Sequence, residues 1–144
     1  MRNVCLIIMA TLFVALVSAE PAAAIVQFYN VFAKEHLDKH EDKDFVAAMK
    51  KPAVRCLICH QGKKRTNHNP FGDHLVEPLD RKKDMRNVEK ISAEITKALA
   101  LPVDPNDKDG ETYADRLKAG KWPGGELEEL KKEPPKEAEG VAAQ

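Results

Sequence analysis

Apolar side chains at Ile25, Phe28, Tyr29, Phe32 and Leu37 recur at helical spacing, which predicts a helix ending near Lys39. A second, short helix is expected from about Asp44, capped by Asp42 or Asp44, with Phe45, Val46 and Met49 turned inward and Pro52 interrupting it. Asn69-Pro70 marks the next start, because asparagine caps a helix and proline suits its first turn; the helix should run to about Leu79, broken near Pro78. The clearest stripe is Val88, Ile91, Ile95, Ala98 and Leu99, with Glu89, Lys90, Glu94 and Lys97 elsewhere, Asn87 or Asp84 as cap and Pro102 beyond its end. Thr112 to Ala119 reads as a short helix with Tyr113 and Leu117 inward and Gly120 as its stop. No segment reads as a strand and nothing repeats, so the expected fold is all-α.

The flanks differ from this pattern. Arg2 precedes an apolar run from Val4 to Val17, and small residues follow at Val17-Ser18-Ala19. That is the layout of a secretory signal peptide over 1–19, with Ala22-Ala23-Ala24 moving its possible end up to 24. The run falls short of the about 20 apolar residues that a membrane span needs. An exported or periplasmic protein without an integral membrane segment after cleavage is therefore expected. At the other end, Trp122 reads as a packed edge residue closing a domain over 25–122. Residues 123–144 read as a polar tail: Glu126 to Lys132 form a helical turn or two, and disorder follows Pro134-Pro135.

Composition narrows the function. The chain has 144 residues with 23 basic and 23 acidic side chains, so its formal charge of zero offers nothing to nucleic acid or an anionic membrane. Only 6% of residues are aromatic, which leaves a modest core that a bound cofactor would enlarge. Asp104-Pro105-Asn106-Asp107-Lys108-Asp109-Gly110 is rich in oxygen side chains, yet Pro105 and Arg116 stand where an EF-hand needs acidic ligands, so it reads as a solvated turn. His36 and His40, near the end of the first helix, read as surface residues.

Removal of Cys5 with the signal leaves Cys56 and Cys59 as the mature chain's cysteines, and both belong to Cys56-Leu57-Ile58-Cys59-His60. Cys-x-x-Cys-His is a c-type haem attachment pattern: two thiols add to the two vinyl groups of haem, and the next residue offers an imidazole to the iron. Zinc held by Cys56, Cys59, His68 and His74 is an alternative, though that spacing matches no common finger. A dithiol oxidoreductase is a third reading, which lacks the βαβ pattern around its cysteines.

On Cys56, Cys59 and His60 the chain resembles the cytochrome c family. The resemblance implies a small helical domain wrapped around one covalent haem c, with His60 as the iron ligand. It also implies an electron carrier rather than an enzyme, serving redox partner proteins. Pro70 is similar in position to the proline whose carbonyl, in that family, accepts a hydrogen bond from the haem histidine. The far side of the haem departs from the family, since no methionine stands well downstream in a distal loop. Met85, His74 and His68 are the candidates for a sixth ligand, and with none of them the protein would be a five-coordinate binder or sensor of small ligands. Lys63, Lys64 and Arg65, just after the motif, form a basic loop suited to an acidic redox partner.

Overall fold

In this computed structural model, which describes residues 23–135, the N-terminal apolar stripe forms helix α1 over Ala23–Phe32. It continues as a π-helical turn, Ala33–Leu37, closed by the Asp38 N–H on the Ala33 carbonyl at 2.9 Å. The wider turn ends the helix earlier than Lys39 and buries Val31, Phe32, Ala33 and Leu37. Just before its end Glu35 accepts a hydrogen bond from the Ser92 hydroxyl at 2.7 Å, tying α1 to a distant helix. Helix α2, Lys43–Lys50, starts where the Asp42 side chain accepts the Phe45 N–H at 2.9 Å, and it buries Val46 and Met49.

After a 3-10 turn over Arg55–Ile58, helix α3 occupies Pro70–Val76 with Asn69 as its cap. It stops two residues before Pro78, which has no N–H to continue the helical hydrogen bonding, although Glu77 before it still has helical backbone. Helix α4, Val88–Leu99, is capped by Asn87, whose side chain accepts the Lys90 N–H at 3.0 Å. Asp84 instead takes the Lys90 ammonium at 2.7 Å and the Asp80 N–H at 2.8 Å, and these partners hold its carboxyl below the usual range. Helix α5, Tyr113–Lys118, begins with a capping box between Thr112 and Asp115, and helix α6 spans Leu127–Leu130.

Helix α4 is the hub, packed on α1, α3 and α5. Its apolar face, Ile91, Ile95, Ala98 and Leu99, meets Phe32, Leu37, Phe71, Tyr113 and Leu117 in one buried cluster. The described residues contain no strand, only isolated antiparallel bridges at His60–His68 and Pro102–Thr112, so the all-α expectation holds. Among them no helix is long and apolar enough to cross a membrane. The expected signal peptide lies outside the described residues.

Three expectations are corrected, for the C-terminal segment, His40 and His36. Residues 123–135 belong with the domain: Pro123 and Leu130 are buried, and the helical turn expected within Glu126 to Lys132 is α6. Leu130 and Glu133 bond back to Gly62, Lys63 and Asn67, while the disorder expected after Pro134-Pro135 lies outside the described residues. Their small apolar content hid this, since a single buried leucine anchors the segment. His40 is not a free surface residue either. Its Nδ1 accepts the Asp42 N–H at 3.0 Å, which leaves Nε2–H to donate to the Leu117 carbonyl at 2.8 Å and joins α1 to α5.

His36 has a buried Nε2 without a hydrogen-bond partner, and its ring packs 5.5 Å from that of Phe32. Desolvation, with the Lys39 ammonium adding to it and Glu35 opposing, lowers its pKa from the usual 6.5. A histidine whose folded pKa is depressed contributes stability above its unfolded value and loses it as pH falls through the folded one. The urea midpoint of the protein should therefore drop below about pH 6.5, and His36→Leu should flatten part of that drop. An unchanged pH profile in the variant would contradict the assignment.

Candidate functional site

The motif residues sit in the 3-10 turn and its exit. Cys59 N–H and His60 N–H both reach the Cys56 carbonyl, at 3.3 and 3.0 Å. Cys56 lies within the 3-10 turn and Cys59 at its C-cap, where Cys59 packs against the core cluster that Leu57 and Ile58 enter. Both cysteines are free and half-buried. Burial, and secondarily the neighbouring Cys56, push the Cys59 thiol up to about 12. That is opposite to the lowered thiol of a dithiol oxidoreductase.

His60 is held on the next bridge. Its Nδ1 lies 3.2 Å from the Asn67 carbonyl, which also accepts the Gln61 N–H at 3.0 Å. Desolvation, then His68 nearby, lowers its pKa to about 4, so the imidazole is neutral at pH 7. With Nδ1–H committed to a carbonyl, Nε2 carries the lone pair that can bind a metal. The expected partner, the Pro70 carbonyl, is displaced from this role by Asn67. Pro70 opens α3, where main-chain carbonyls are turned along the helix axis, whereas Asn67 stands one residue before His68, the bridge partner of His60.

Asn69, wholly buried, organises the turn. Its Nδ2 donates to the carbonyls of Leu57 at 2.8 Å and Ile58 at 3.1 Å, and more distantly to that of His60 at 3.4 Å, while Oδ1 accepts the Gly72 N–H at 2.9 Å. Its own N–H reaches the Cys59 carbonyl at 3.1 Å. One side chain thus caps α3 and satisfies the carbonyls that a 3-10 turn leaves open. The space is tight on both sides: a Cβ at Gly72 would stand 1.9 Å from the Cys59 carbonyl oxygen, and one at Gly124 would stand 2.2 Å from Asn69. The sequence marks Asn69 as a cap, but its second role needs a carboxamide and not merely an acceptor, and that is visible only in the fold.

The other candidates are dispersed. The His68 ring stands 5.0 Å from that of His60 and its Nδ1 lies 3.9 Å from Asp73. His74 is exposed, with its Nε2 3.5 Å from the Tyr113 hydroxyl and the rings 5.6 Å apart. Met85 is half-buried in the loop before α4, and Lys63, Lys64 and Arg65 are exposed on the loop after His60. Among the described residues no three histidine, cysteine or acidic side chains converge as a metal-holding group. Two surface cavities, of about 490 Å³ beside Arg86 and about 210 Å³ beside His36, are lined by residues outside the motif.

No family model, no curated protein and no solved structure matches the chain.

Proposed function

We propose that the protein is an exported electron carrier with one haem c bound to Cys56 and Cys59 and ligated by His60. The observation that carries this reading is the local chemistry of the turn. Two free, half-buried thiols stand three residues apart at the turn, and the adjacent imidazole is neutral with Nδ1 already occupied by a main-chain carbonyl. This donor set suits a thioether-linked porphyrin: Cys56 and Cys59 would hold the group through their sulfurs and His60 Nε2 would offer its lone pair to the iron. When bound, the haem would supply one-electron chemistry between ferrous and ferric iron.

The chain's own part is to hold these groups still. Asn69 fixes the carbonyls of Leu57 and Ile58, so the spacing of the two sulfurs is set by the fold. Asn67 fixes the tautomer and plane of His60 and raises its basicity as a ligand. The exposed Lys63 to Arg65 segment presents positive charge next to the site, which steers an acidic redox partner into weak, salt-sensitive contact.

A second reading, a five-coordinate binder of small ligands, is favoured by the placement of the histidines. The His68 ring stands beside that of His60, 5.0 Å away, and would not offer its nitrogen to a bound haem from the opposite side. His74 is turned to Tyr113. Expression with a c-type maturation system, followed by spectra of the reduced protein with and without carbon monoxide, separates the readings. A carrier keeps its spectrum unchanged under carbon monoxide, a binder shifts its Soret band, and a protein with no Soret band is neither.

A further inference from the structure

We infer that the C-terminal segment Leu127–Glu133 is a built part of the cofactor site, with Glu133 a positioning residue for His60 acting through Asn67. The inference rests on the haem reading for its consequence but on contacts alone for its geometry. The Glu133 carboxylate accepts the Asn67 side-chain N–H at 3.0 Å with one oxygen and the Lys63 main-chain N–H at 2.8 Å with the other. One step earlier, the Leu130 carbonyl accepts the Gly62 N–H at 2.8 Å. The far end of the chain therefore closes the loop Gln61–Asn67 from outside at three points. The same Asn67 gives its carbonyl to His60 Nδ1 from inside.

Two further features show that this contact is built and not incidental. Gly62 is buried with φ of +69°, and a Cβ there would stand 2.7 Å from the Glu133 carboxyl, so the loop is shaped to admit this side chain. Leu130, buried to 2% exposure, anchors the segment in the core cluster and holds Glu133 over the loop. The two bonds to the carboxylate are charge-assisted, which makes them stronger than neutral pairs.

The consequence concerns the imidazole. An Nδ1–H bonded to a firmly held carbonyl makes Nε2 a more basic ligand and favours the ferric state. Freeing Asn67 from Glu133 leaves its carbonyl mobile and weakens that bond. Glu133 bonds to Lys63 and Asn67 and not to His60, so its effect passes through the loop.

The test uses the full mature chain, wild type and Glu133→Ala, each with haem attached and each matured without it. In the variant, hydrogen exchange of the Gly62 and Lys63 amides should quicken about tenfold or more. The His60 Nδ1–H resonance, observed in both forms, should exchange faster with solvent, and the reduction potential of the haem form should rise. Glu133→Gln, which keeps one acceptor, should fall between. An unchanged His60 resonance and unchanged potential in Glu133→Ala, with only a lower melting point, would overturn the proposal. Failure of the haem reading shows separately, as absence of haem from the wild type, and leaves the His60 and amide measurements of the haem-free chain to decide the strap.

Discussion

Gly72→Ala is expected to destabilise the protein on the order of 3 kcal/mol, by overpacking between two main-chain segments. The added methyl would stand 1.9 Å from the Cys59 carbonyl oxygen and 2.7 Å from its carbon, so neither wall of the contact is a flexible side-chain tip. Relief requires α3 to lift away from the cysteine turn. That movement breaks the bonds from Asn69 to the turn together: its Nδ2 to the Leu57 and Ile58 carbonyls and its N–H to that of Cys59. For a domain of this size the melting temperature should fall by roughly 15 °C, followed by circular dichroism. Gly110→Ala is the control: its methyl would meet mainly the Asp107 side chain in an exposed loop, and its melting point should move by far less. Equal losses at the two positions would contradict the close docking of α3 on the turn.

Asn69→Asp should be comparably damaging while leaving the helix cap in place. Aspartate retains an oxygen for the Gly72 N–H but loses the amide that donates to Leu57 and Ile58. Two buried carbonyls are then unsatisfied and face a carboxylate, which costs about 3 kcal/mol. Burial against carbonyl oxygens raises the pKa of such a carboxyl, so its protonated form is the better tolerated. The sign follows: the deficit relative to wild type should be greatest at neutral pH and shrink as pH falls, because the protonated acid regains one donor. Urea midpoints of both proteins at neutral and acidic pH measure it. A deficit that stays constant with pH would show that the carboxamide clamp is not what Asn69 supplies.

Much of the helical framework was legible in the residues themselves. Asp42, Asn87 and Thr112 cap their helices through side-chain oxygens, and the stripe from Val88 to Leu99 is the buried face of α4. These features are local, and periodicity with capping chemistry reads local structure well. The motif Cys56, Cys59 and His60 was legible for the same reason, as five neighbouring positions. What escaped is the set of contacts between distant parts of the chain: His40 on Leu117, Asn67 on His60 in place of Pro70, and Glu133 on Lys63 and Asn67. A polar tail with one anchoring leucine looks disordered in composition, and only the loop it covers explains it. The π-helical turn at Ala33–Leu37 left no signal in the stripe, because it shifts the ends of the helix by a residue or two and keeps Leu37 inward.

The intact mass of the protein, expressed with a c-type maturation system and then unfolded in acid, tests the central claim most directly. The account predicts a chain heavier than its amino acids by one haem, with the addition lost when Cys56 and Cys59 are both replaced by alanine. A wild-type chain weighing no more than its amino acids under those conditions would contradict it.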